Sequence, residues 1–72
     1  IIWGVQDHVT PLWVGEKFND LIPNSELVRI DRSGHAPMME RPDEFNSALE
    51  SFLERVENGT FLSNIKEPTT IL

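Results

Sequence analysis

The sequence predicts an α/β fold whose elements follow the order strand, helix, strand, helix. Residues 1–3 form an apolar run without polar alternation, which is typical of a strand buried on both faces of a sheet. Two later segments carry apolar residues three and four positions apart, which indicates amphipathic helices. Because a helix connects the two strands, the crossover makes them parallel.

The first helix is expected to begin near Pro11, after the strand ends at Gly4. Thr10 is the candidate N-cap, since its hydroxyl can accept from a free backbone N–H and proline is tolerated at the first helical position. Gly15 weakens the helix by about 1 kcal/mol relative to alanine, which indicates a close contact there. Pro23 ends the helix. Its apolar face carries Val14, Phe18, Leu21 and Ile22.

The second strand is predicted over residues 26–31, and the second helix begins at Pro42. Asp43 and Glu44 lie near the positive end of that helix dipole, where acidic side chains are favourable. Gly59 suits the left-handed conformation that commonly follows a helix. The apolar face of this helix carries Phe45, Leu49, Phe52, Leu53 and Val56.

Composition excludes several classes of function. Asp and Glu total 12 against 6 Lys and Arg, a net charge of −6, so binding to nucleic acid is not expected. The chain has no cysteine, which excludes a disulfide framework and fits a reducing compartment. The histidines and carboxylates lack metal-ligand spacing on one helix, so no metal is expected. No apolar run reaches the roughly 20 residues of a membrane-spanning helix.

The length of 72 residues predicts a piece of a larger protein. A chain of this size buries only about 60 % of its unfolded surface, and two parallel strands leave sheet edges open. Residues 60–72 have no sustained period, and two interpretations stay open for them: a loosely ordered tail, or a segment docked on the remainder of the protein.

Asp7 and His35 stand out because each follows the carboxyl end of a predicted strand. Ligands of open α/β sheets bind at that edge, and a carboxylate there can orient an imidazole and stabilise its protonated form. In the alternative interpretation, Asp7 only forms a turn and His35 is a solvated loop residue without a functional role. His8 is expected at the surface, while Glu40 and Arg41 are expected to fix the His35 loop by hydrogen bonds.

Two motifs carry a family resemblance. Trp3-Gly4, Asp7 and Pro11 stand in the pattern Trp-Gly, two residues, Asp, then Pro, which resembles the penultimate-strand segment of the α/β-hydrolase fold family. Residues 33–45 contain Ser-Gly-His and resemble the family's catalytic-histidine loop and the entry to its last helix. The resemblance extends from residue 1 to about residue 56. It implies the C-terminal part of an α/β-hydrolase parallel sheet in residues 1–58 and a C-terminal tail in residues 59–72.

The resemblance implies that Asp7 is the acid of a catalytic triad and His35 its general base. In this family the nucleophile precedes both in the chain, and no G-x-S-x-G pattern occurs here. The nucleophile is therefore expected upstream of Ile1, in the missing N-terminal part of the same domain, and the chain alone is expected to be inactive. The implied reaction is esterase-like or lipase-like hydrolysis of a small-molecule substrate, without metal or organic cofactor.

Two other functions stay open. An upstream Asp nucleophile would give epoxide hydrolase or haloalkane dehalogenase chemistry, in which His35 activates water against an alkyl-enzyme ester. A non-catalytic interaction or structural module could also use the same fold and keep the two residues for ligand binding.

Overall fold

Three short parallel strands form the sheet in a computed structural model that describes residues 1–61 and, as backbone, residues 69–71. The strand order is β1-β2-β3, so β2 is central. The elements in chain order are β1 (Ile2–Gly4), α1 (Leu12–Leu21), β2 (Val28–Ile30), α2 (Pro37–Glu40), α3 (Pro42–Glu57) and β3 (Thr69–Ile71).

Helices cover both faces of this sheet. Trp3 is paired in register with Arg29, and since side chains alternate along a strand, both point to the α1 face. Trp3 packs on Gly15, where an added Cβ would come within 2.8 Å of the indole, so the close contact predicted at this glycine is confirmed. On the other face, Val28 and Ile30 pack with Ala48 of α3. This arrangement is the one expected of parallel strands in an α/β fold.

The predicted strands and long helices are present, with corrections at their ends. β2 is shorter than the predicted residues 26–31. Pro11 occupies the N-cap position of α1 without a side-chain cap, so the prediction that Thr10 caps this helix was wrong. Thr10 lies one residue before the N-cap, and its hydroxyl donates to the Asp7 carboxylate. The short helix α2 is not predicted from the sequence.

The backbone beyond α3 returns to the sheet. Gly59 has a φ of 71°, as predicted for the residue that follows this helix. β3 pairs in parallel with β2, with Val28 opposite Thr69, so these three residues join the sheet of this chain. Docking of the segment on the remainder of the protein stays a prediction. The predicted division of the chain between residues 58 and 59 stays a prediction. The apolar residues 62, 65 and 72, which belong to the predicted tail, lie outside the described residues.

The core is small. Its buried apolar residues, within the part that the structure describes, are Leu27, Val28, Ile30 and Ala48. Much of the apolar face of α3 stays in contact with solvent, since Leu53 and Val56 are about half exposed. Among the described residues, no helix is both long and apolar enough to cross a membrane.

Candidate functional site

A glycine lets the two strand ends approach each other. The carbonyl of Ile30 accepts from the backbone N–H of Val5 at 3.0 Å, so the chain segments leaving β1 and β2 stay paired beyond the strands. A Cβ on Gly4 would lie 2.1 Å from the carbonyl oxygen of Gly34 and 2.6 Å from that of Ser33. Only glycine allows this approach, which brings the His35 loop against the segment that carries Asp7.

Gln6 joins the same two segments through its side chain and its backbone. Its amide nitrogen donates to Asp31 Oδ1 at 2.8 Å, and its amide oxygen accepts from the Ser33 backbone N–H at 3.0 Å. Its own backbone N–H donates to the Ser33 carbonyl at 2.9 Å. The Gln6 hydrogen bond is the main reason why the pKa of Asp31 is lowered. Sequence reasoning missed this residue, because a loop glutamine alone does not indicate its partners.

Glu40 and Arg41 fix the His35 loop from its far side, as predicted. α2 places the Glu40 carboxylate where it accepts from the backbone N–H of Ala36 at 3.0 Å and from that of Gly34 at 3.2 Å. The Arg41 guanidinium donates to the carbonyl of Arg32 at 2.8 Å. The loop is therefore held at both ends by charge-assisted hydrogen bonds.

The two oxygens of the Asp7 carboxylate have different partners. Oδ1 accepts from the backbone N–H groups of Val9 and Thr10 at 2.8 and 2.9 Å, which is the turn-forming role open to any Asp at such a position. Oδ2 lies 3.0 Å from Nδ1 of His35. The structure thus brings together the two residues singled out from the sequence, which are 28 positions apart. Asp7 forms the turn with one carboxylate oxygen and contacts the imidazole with the other.

The charge state of Asp7 determines the tautomer of His35. Burial raises the pKa of Asp7, yet hydrogen bonds from Thr10, His35 and Val9 outweigh this effect and lower the pKa to about 2. At neutral pH the carboxylate is therefore charged and accepts hydrogen bonds only. The proton between the two groups must then belong to Nδ1, and in the neutral ring Nε2 is the nitrogen able to take a proton.

The pair lies beside a small, partly apolar cavity. Asp7 is buried, whereas the His35 side chain is 62 % exposed, so the imidazole is open to other groups. A cavity of about 150 Å³ adjoins the pair and is also lined by Pro37, Met38 and Phe45. A larger cavity of about 330 Å³ lies between β1 and α3 and contacts neither member of the pair. His8 is exposed, as predicted.

Comparison with known proteins finds relatives among hydrolases. The chain is 30 % identical over 54 residues to an uncharacterised hydrolase, YugF, of Bacillus subtilis, covering 75 % of this chain and 20 % of the relative. It is 33 % identical over 54 residues to the pimeloyl-[acyl-carrier protein] methyl ester esterase of Aliivibrio fischeri, covering 75 % and 21 %. It is 40 % identical over 55 residues to the 2-hydroxy-6-oxo-6-(2'-aminophenyl)hexa-2,4-dienoic acid hydrolase of Metapseudomonas resinovorans, covering 76 % and 19 %.

The chain spans about a fifth of the length of these curated relatives. No protein-family model matches it, and no solved structure matches it significantly. The relatives are nevertheless members of one family, the α/β-hydrolases. The family resemblance that the two motifs indicate is therefore confirmed. Over about three quarters of its length, this chain is similar to members of the α/β-hydrolase family.

Proposed function

We propose that this chain supplies the acid and the general base of a Ser-His-Asp triad, in an enzyme that hydrolyses an ester of a small molecule. The observation that carries the proposal is the 3.0 Å contact between Asp7 Oδ2 and His35 Nδ1 at the carboxyl ends of β1 and β2. The hydrolases and the methyl ester esterase among its relatives support the reaction class.

The chemistry follows from the tautomer of His35. Nε2 removes the proton from an upstream serine hydroxyl while the serine oxygen attacks the ester carbonyl, which gives a tetrahedral oxyanion. The imidazolium then gives the same proton to the leaving alcohol, and an acyl-enzyme remains. In the second half, Nε2 takes a proton from water while the water oxygen attacks the acyl carbonyl, which gives a second tetrahedral oxyanion. Its collapse breaks the bond to the serine oxygen, which takes that proton from the imidazolium, and the carboxylic acid is released.

Asp7 contributes by staying charged throughout this cycle. With a pKa of about 2 it does not take the proton from the imidazolium, so the proton remains available to the leaving group. Its negative charge stabilises the imidazolium at hydrogen-bond distance. Because Oδ1 is held by two backbone N–H groups, Oδ2 keeps its orientation toward the ring.

The proposal assigns the nucleophile and the oxyanion hole to a segment that precedes Ile1. The partner of this chain is then the N-terminal part of the same domain, and residues 1–72 alone are inactive. The exposed apolar face of α3 is in keeping with such a partner, since a small domain rarely leaves so much apolar surface open.

The test compares two histidine substitutions in the full-length polypeptide in which these 72 residues occur. His35→Ala is expected to lower kcat for p-nitrophenyl acetate by at least about a thousandfold, because the general base is removed. The matched control is His8→Ala, which removes the other, exposed histidine and leaves kcat within about twofold of wild type. Circular dichroism shows that both variants are folded.

Three outcomes contradict the proposal. Unchanged hydrolysis in His35→Ala excludes the general-base role. A wild-type polypeptide without any esterase activity favours the interaction module. A covalent alkyl-enzyme that accumulates when His35→Ala is incubated with an epoxide or a haloalkane, detected by mass spectrometry, indicates an Asp nucleophile and water activation by His35.

A further inference from the structure

We infer that Thr10 is a positioning residue for the Asp7–His35 pair, whose hydroxyl links the carboxylate and the imidazole into one three-membered hydrogen-bonded unit. The inference rests on the proposed function for its catalytic consequence, but the hydrogen-bonded unit itself can be measured separately. It assigns to Thr10 a role different from the helix cap that the sequence predicts.

The three polar atoms form a closed triangle. Thr10 Oγ1 lies 3.0 Å from Asp7 Oδ2 and 3.3 Å from His35 Nδ1, and the third side, from Oδ2 to Nδ1, is 3.0 Å. A charged carboxylate only accepts, so the hydroxyl proton of Thr10 must point to Oδ2. The lone pairs of Oγ1 are then left for the ring, and the Nδ1 proton is shared between two oxygens, with Oδ2 the nearer.

The hydroxyl is held in place through the backbone of its own residue. The Thr10 N–H donates to Asp7 Oδ1 at 2.9 Å, and the Thr10 carbonyl accepts from the indole N–H of Trp3 at 2.9 Å. Trp3 is itself anchored in β1 and packed on α1. Threonine is also β-branched, which restricts rotation about χ1. The position of Oγ1 is therefore set by the sheet and the helix together.

This arrangement has two consequences for the pair. It opposes rotation of the Asp7 carboxylate, because both oxygens now have a protein donor other than the ring. It also favours the tautomer with the proton on Nδ1, because that proton gains a second acceptor. In keeping with this geometry, the Thr10 hydroxyl is one of the groups that lower the pKa of Asp7.

The test uses Thr10→Val and Thr10→Ser in the full-length polypeptide, with Ser47→Ala as control. Valine keeps the branched shape of threonine but removes the hydroxyl, serine restores it, and Ser47 is an exposed hydroxyl on α3. In Thr10→Val, kcat for p-nitrophenyl acetate is expected to fall about tenfold, with KM within about twofold. Thr10→Ser and the control are expected to stay within about threefold of wild type.

Two readouts separate positioning from a merely structural role. The pKa of Asp7, followed by carboxyl ¹³C NMR, is expected to rise in Thr10→Val from about 2 toward its ordinary value and to return in Thr10→Ser. The Nδ1 proton resonance of His35 is expected to shift upfield in Thr10→Val but not in Thr10→Ser. If Thr10→Val does not fold, Thr10→Ala removes the same hydroxyl with less steric demand, and the same outcomes apply.

The inference is overturned if Thr10→Val has the kcat of wild type, or if the Asp7 pKa is unchanged in it. It is also overturned if Thr10→Ser loses as much activity as Thr10→Val, because the loss is then not caused by removal of the hydroxyl. Failure of the proposed function differs from these outcomes, since in that case His35→Ala itself leaves ester hydrolysis intact.

Discussion

Gly4→Ala is the substitution for which the structure gives the sharpest prediction. The added Cβ would lie 2.1 Å from the Gly34 carbonyl oxygen, whereas real Cβ contacts essentially never fall below 3.0 Å. The opposing atoms are backbone, so no side-chain rotation can relieve the clash. The loop that carries His35 must therefore move away from β1 by roughly 1 Å, a displacement that is large at a catalytic distance.

The displacement acts on the Asp7–His35 contact directly. Asp7 Oδ2 and His35 Nδ1 are within hydrogen-bond range at 3.0 Å, and lengthening this distance by roughly 1 Å takes them out of that range. We expect kcat for p-nitrophenyl acetate in the full-length polypeptide to fall about a hundredfold. The free energy of unfolding, measured with urea, is expected to fall by about 1–3 kcal/mol, as in other overpacked sites.

Gly34→Ala is the matched control for this prediction. A Cβ at that position meets the end of the Glu40 side chain at 3.3 Å, and a side chain can yield by a few tenths of an ångström. Its kcat is expected to stay within about tenfold of wild type. Equal activity losses in Gly4→Ala and Gly34→Ala would refute the reasoning, because the clash with backbone would then not be the cause.

The remaining predictions concern pH and a buried ion pair. The pKa of Asp7 in the folded chain is about 2, below its ordinary value, so its hydrogen bonds stabilise the fold above about pH 4, and this stabilisation is lost as the pH falls toward 2. Urea unfolding from pH 5 to 2 is expected to show the stability difference between wild type and Asp7→Asn shrinking, and a constant difference would contradict this. Arg55 of α3 donates two hydrogen bonds to the buried carboxylate of Glu26. Arg55→Met is expected to lower the unfolding free energy by about 3 kcal/mol, because it leaves a buried charge unpaired, whereas Arg55→Met combined with Glu26→Gln recovers part of the loss. A double variant as unstable as the single one would argue against the ion pair as the cause.

The sequence predicts the main elements because their signals are local. The spacing of Phe45, Leu49 and Phe52 indicates α3, and the apolar run at the start indicates β1. Asp7 and His35 are predicted to lie close together because the carboxyl ends of parallel strands meet at one edge of the sheet. This prediction requires only the order of the strands and helices. The prediction therefore succeeds wherever neighbouring residues or topology determine the outcome.

What the sequence does not predict depends on non-local contacts. β3 has three residues and no period of its own, and its existence depends on pairing with β2. Gln6 and Thr10 each have several partners in reach, and the sequence does not rank them. Thr10 was expected to cap α1, yet the helix has its N-cap one residue later, at Pro11, and the Thr10 hydroxyl donates to Asp7.

The hydrogen bond from His35 Nδ1 to Asp7 Oδ2 is tested most directly by NMR of the full-length polypeptide. A far-downfield proton resonance on Nδ1 is predicted in the wild type. It is expected to be absent in His35→Ala, shifted strongly upfield in Asp7→Asn, and unchanged in His8→Ala. A neutral His35 ring that carries its proton on Nε2, or a resonance that does not respond to Asp7→Asn, would contradict the acid–base pair on which the proposed hydrolase function depends.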